Sequence, residues 1–138
     1  MNKKLLVLAM SLALLMSAAA SAQTIHLKVV VPFGFNAGNT MLPPGLYDIQ
    51  STGNGYKVLA IRSMNSTAAV VLISHSCESL HPTDRTRLVF HRYGQRYFLS
   101  QVWLQGNHIG HQLPPSPREV EVARDFSKDE VILVAKRN

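Results

Sequence analysis

The sequence predicts an all-β domain, mainly antiparallel. It is either a two-sheet sandwich or a partly open barrel, with about seven strands and one short C-terminal helix. Three features predict it. Short runs rich in Val, Ile, Leu and aromatic residues alternate with Gly, Pro and Asn clusters from residue 25 onward. Residues 85–104, RTRLVFHRYGQRYFLSQVWL, read as two long strands folded on Gly94-Gln95. Ser116-Pro117-Arg118-Glu119 carries the signals of a helix start.

The first residues stand apart. Lys3 and Lys4 precede an apolar run over 5–16, and 17–22 end in Ala20-Ser21-Ala22, the small-residue spacing of a signal-peptidase site. Residues 1–22 therefore read as a signal peptide, leaving one β-rich domain over 23–138. The apolar run is too short for a membrane anchor, and no Cys follows the site to carry a lipid. No later run could form a transmembrane helix, so the expected location is periplasmic or secreted.

Residues 25–35, IHLKVVVPFGF, read as the first strand, ending or turning to an edge at Pro32. Residues 36–40, NAGNT, read as a loop. Leu42-Pro43-Pro44-Gly45 fits a type II turn, Pro44 presetting φ and Gly45 supplying a positive one. Strands follow over 46–51, 56–63 and 67–74, with turns at 52–55 and 64–66, an antiparallel meander. Residues 74–86 read as a long polar connection. Leu113-Pro114-Pro115 stops any strand. Ser116 then caps a short helix, Pro117 takes its first position, and Glu119 closes a capping box, with an end near Asp125. Glu119-Val120-Glu121-Val122 alternates like a strand, but the start signals favour the helix. Residues 130–136 form the closing strand.

In the hairpin, a two-residue loop sets Tyr93 opposite Arg96, His91 opposite Phe98, Phe90 opposite Leu99 and Val89 opposite Ser100. One face then carries Leu88, Phe90, Tyr97, Leu99 and Trp103, with Arg92 and Gln101. The other carries Val89, His91, Tyr93, Phe98, Val102 and Leu104, with Arg87, Arg96 and Ser100. The face with the only Trp is the better core. The second is too apolar for open solvent and needs cover, from the same chain, another subunit or a ligand.

Fourteen Lys and Arg against eight Asp and Glu give a net charge of +6, which falls to +4 when Lys3 and Lys4 are removed. This excess suits weak attraction to an envelope component or other anionic surface. The basic residues are scattered, which argues against nucleic acid. With one cysteine, Cys77, an internal disulfide is excluded, and Cys77 is a small hydrophobe, an intermolecular link or a metal ligand. A homo-oligomer is compatible with either cover of the second face or a Cys77 link. No cofactor is indicated.

VPFGF at 31–35, LPPGLYDI at 42–49, LVFHRYGQRYFLSQVW at 88–103 and LPPSPREVEVARD at 113–125 resemble the pattern of a family of small, uncharacterised bacterial exported proteins: VPFxF, LPxGxY, FHRYGxRYFL and LPxS before a charged helix. The resemblance covers most of the chain after residue 22. It implies secretion and a one-domain, β-rich fold, and it transfers no catalytic residue.

Two constellations offer chemistry. His75, Cys77 and His81 place two imidazoles and a thiol in one segment, and copper or zinc favours such ligands, with His108 and His111 as further donors. The spacing matches no zinc pattern, and the plainer reading is a solvated loop with a partly buried Cys. His91, Tyr93 and Arg96 form a polar cluster that could take an anion or glycan, against the plainer reading of a satisfied sheet histidine with arginines reaching to water. No GxSxG elbow and no phosphate-binding glycine loop is present. The expectation is an exported, non-enzymatic β domain with a structural or interaction role in the cell envelope. The alternative is a periplasmic copper- or zinc-binding protein.

Overall fold

A computed structural model describes residues 25–52 and 57–135, together with Lys3. The signal-peptide assignment, apart from Lys3, and the turn at 53–55 lie outside the described residues. Eleven strands and one helix are described: β1 (His26–Val31), β2 (Phe35–Ala37), β3 (Thr40–Leu42), β4 (Gly45–Thr52), β5 (Val58–Ser63), β6 (Ala69–Ile73), β7 (His75–Glu78), β8 (Arg87–Tyr93), β9 (Arg96–Trp103), β10 (Ile109–Gln112), α1 (Pro117–Val122) and β11 (Lys128–Val134). They form a β-sandwich. One sheet has the order β1-β4-β5-β6 and the other β11-β8-β9-β10-β7, with the β2–β3 hairpin attached to β9.

Side-chain alternation builds the core between the sheets. Leu27, Val29 and Val31 of β1 point inward with Ile49 of β4 and Leu59 and Ile61 of β5, and meet Leu88, Phe90, Leu99 and Val102 of the other sheet. At its centre is an aromatic cluster. Phe33 stacks on Tyr97 with centroids 3.9 Å apart, and it meets Phe90 edge to face at 5.0 Å. Phe35 meets Tyr47 at 5.2 Å and Phe90 at 5.5 Å, both edge to face. Tyr47 is fully buried, and its hydroxyl donates to the carbonyl of Pro43.

Several sequence expectations change. The strand count is eleven rather than about seven because short pairings form where loops were expected. Residues 36–40 belong to the β2–β3 hairpin, turned on Gly38 at φ 61°, and the first strand accordingly ends at Val31, before Pro32. The polar connection after Ser74 begins with β7, which pairs with β10. A polar strand paired with another polar strand leaves no hydrophobic alternation to read.

The central hairpin turns on Gly94 (φ 63°) as expected, with Tyr93 opposite Arg96, His91 opposite Phe98 and Phe90 opposite Leu99. The register then slips. Val89 faces Gln101, not Ser100, and Leu88 faces Val102. Ser100 is the extra residue of a β-bulge, and an extra residue reverses the face of everything beyond it. Val102 and Leu104 therefore join the core, while Trp103 moves to the opposite face. Trp103 is still only 4% exposed. Its ring lies over Gly110, its Nε1–H donates to Gln101 at 2.9 Å, and the Arg87 guanidinium sits 5.8 Å from the ring centroid. A Cβ at Gly110 would come within 2.7 Å of the indole, so glycine is what admits the ring.

The cover of the second hairpin face comes from the same chain. Tyr93 and Phe98, edge to face at 5.8 Å, form a small second core with Val122 of α1.

Candidate functional site

α1 starts as its sequence dictates. Ser116 is the N-cap and accepts from the Glu119 amide at 3.2 Å, with Pro117 in the first turn. The expected capping box is half made, because the Glu119 carboxylate turns to the sheet. One oxygen, Oε1, lies 3.0 Å from His91 Nδ1 and accepts from the Tyr93 hydroxyl at 3.2 Å. Glu119 is 5% exposed. Burial, with the adjacent Glu119 charge and hydrogen bond, pushes the Tyr93 phenol up from its ordinary pKa. Of the proposed trio, His91 and Tyr93 come together and Arg96 stays exposed at the turn. The cluster lies under α1, so its evident work is to fasten the helix to the sheet.

The proposed metal trio is spread along one ribbon. His75 and Cys77 share a face of β7 and His81 follows in the next loop, with both histidines exposed and Cys77 half-buried. Among the described residues, no group of three His, Cys, Asp or Glu is placed to hold a metal ion. The loop carrying His108 and His111 does come near, since β10 pairs with β7, but His111 faces Ser76 rather than Cys77. His111 Nδ1 lies 2.9 Å from Oγ of the fully buried Ser74, and burial pushes its pKa below the ordinary 6.5. Burial pushes the Cys77 thiol up, and the backbone of Gly110 offsets this only in part. A thiol so shifted stays protonated at neutral pH and is a weaker ligand and nucleophile.

A third cluster lies on the outer face of the β1 sheet. Asp48 is 5% exposed, with Oδ1 2.8 Å from His26 Nε2, Oδ2 accepting from Gln50 at 3.1 Å, and Arg62 at 3.7 Å. Gln50 shares β4 with Asp48, but His26 and Arg62 sit on the neighbouring strands β1 and β5, which only the strand pairing could reveal.

A groove of about 510 Å³ runs between the two sheets where they end, lined by Lys28, Val29, Val30, Pro32, Leu46, Leu133 and Val134. Its walls are the free edges of β1 and β11, each with one neighbour strand among the described residues. The hydrogen-bond phase of β1 is settled by its surroundings. Ser51 donates to the Ile25 carbonyl, while the N–H and C=O of Leu46, opposite Val30, bond toward the β5 side, to Asn65 and Met64. The pairs of an antiparallel ladder alternate, so the N–H and C=O of Lys28 and Val30 point off the sheet into the groove's mouth. Val30 is 62% exposed. Lys28, at the rim, has no ion-pair partner among the described residues.

Comparison with family models, with curated proteins and with solved structures finds no match to this chain.

Proposed function

We propose that this is an exported β domain of the cell envelope that works by binding rather than by catalysis, and that its ligand is an extended peptide segment of another envelope protein. The observation that carries the reading is the groove between β1 and β11. Its apolar lining suits alternate side chains of a strand, the free backbone of Lys28 and Val30 suits that strand's amides, and Lys28 suits an acidic residue at its end. A lipid tail would fill the apolar space but leave the backbone groups unanswered. The signal peptide read at residues 1–22 and the motif resemblance support the envelope location.

The test is calorimetric titration of the processed chain with an acetylated VTVTVTVD peptide and, separately, with palmitate. Saturable peptide binding is expected, weakened about tenfold or more by Val30→Asp, since losing one apolar contact is worth about 1.4 kcal/mol or more, and weakened several-fold at low salt by Lys28→Glu, since an exposed ion pair is worth up to about 1 kcal/mol. Binding of palmitate alone would overturn the peptide reading. Turnover of an envelope substrate, lost in His91→Ala, would overturn the non-catalytic one.

A further inference from the structure

We propose that β6 is a self-complementary edge through which two copies of the chain pair, doubling the four-stranded sheet across a two-fold axis. A free sheet edge presents unpaired amides and carbonyls, and natural proteins guard such edges with charge, proline or brevity. The other edges here carry such features, which disfavour apolar self-pairing; at β1 the Lys28 charge instead selects a strand with an acidic end, the peptide proposed above. β1 carries His26 and Lys28 and runs into Pro32, β11 carries Lys128, Asp129 and Glu130, β7 carries His75 and Glu78, and β3 is three residues long and runs into Pro43. β6, AVVLI, has no charge, proline or glycine. Its outward side chains are unusually open for their type, with Val71 67% and Ile73 69% exposed. Its inward ones, Val70 and Leu72, reach the core yet remain only half-buried, as expected where β6 has no further strand beside it among the described residues.

Charge and register identify the occupant. Ser63 donates to the Ala68 carbonyl and Ser74 donates to that of Lys57, so the even-numbered residues bond inward to β5. The backbone groups of Ala69, Val71 and Ile73 therefore point off the sheet. An antiparallel second copy centred on Val71 sets Val71 against Val71 and Ala69 against Ile73, with Val70 against Leu72 on the inner face. Every pair is apolar and no like charges meet. A two-fold interface requires this kind of self-match, and a charged partner strand would gain nothing from it.

Sedimentation equilibrium of the chain as its host processes it, under reducing conditions that exclude a Cys77 link, decides the matter. Twice the monomer mass is expected, falling to the monomer mass in Val71→Lys and in Val71→Pro with an unchanged β-sheet circular dichroism spectrum. Proline is compatible with the monomer because the Val71 amide faces away from β5. If Val71→Pro fails to fold, Val71→Lys, at a site open to water, decides alone. A wild-type chain that stays monomeric at all concentrations, or a dimer that survives Val71→Lys, would overturn the proposal. Neither variant touches the β1–β11 groove, so peptide binding reads out separately.

Discussion

Glu119 shows how one side chain can serve two elements. Its backbone amide completes the cap of α1, and its carboxylate holds His91 and Tyr93 on the sheet below. Removing the carboxylate leaves the buried Tyr93 hydroxyl and the half-buried His91 ring without their acceptor, and an unmatched buried polar group costs about 1–3 kcal/mol. Glu119→Ala should lower stability by that amount in urea unfolding, and Tyr93→Phe by about 1 kcal/mol. At Gly110 the controlling fact is space rather than hydrogen bonding. Gly110→Ala drives a methyl into the Trp103 ring and should cost about 1–3 kcal/mol, the usual cost of overpacking. A neutral Gly110→Ala would mean that the indole is not seated there. His111 contributes a pH dependence. Its folded pKa lies below the unfolded 6.5, so as pH falls through that value the unfolded chain takes up the proton first. Stability is full above the unfolded value and declines as pH drops toward the folded one. Urea midpoints between about pH 7.5 and 5.5 should fall less steeply in His111→Gln than in the parent chain.

The central hairpin is the element on which the sheet opposite β1 is built, since β8 pairs β11 and β9 pairs both β10 and β2. Its turn depends on Gly94, held at φ 63°, where a Cβ would stand 3.5 Å from the Phe126 ring. Gly94→Val should cost about 1–3 kcal/mol, the strain of a branched residue at positive φ, and normal stability of that variant would contradict the turn geometry. This hairpin also marks where sequence reading succeeds and fails. The Gly-X loop, the alternation up to Phe90 and Leu99, and the Ser116 cap were legible because each is a local signal. The bulge at Ser100 was not, because no residue type announces it, and with it went the side on which Trp103 lies. Likewise Glu119 was legible as a capping residue but not as the partner of His91 and Tyr93, which arrive from 28 and 26 residues away.

At the scale of the whole molecule, the motifs behind the family resemblance turn out to be packing. Phe33 and Phe35 of VPFGF, Tyr47 of LPPGLYDI, and Phe90 and Tyr97 of the hairpin meet in one aromatic cluster between the sheets. A pattern made of core contacts specifies a fold and leaves function to the surface. The surface features that follow from this architecture are its edges: β6, with no strand on its outer side among the described residues, and the groove where β1 and β11 part. That groove was beyond sequence reading because its walls, Val30 and Val134, are 104 residues apart in the numbering and meet only when the sheets stack. The central claim is that a peptide strand adds to β1 there. Amide hydrogen exchange in the presence of the VTVTVTVD peptide tests it most directly. The account predicts new protection at the Lys28 and Val30 amides, whose N–H groups point off the sheet, with Leu27 and Val29, already bonded to β4, little changed. Peptide binding that leaves Lys28 and Val30 exchanging freely would contradict it.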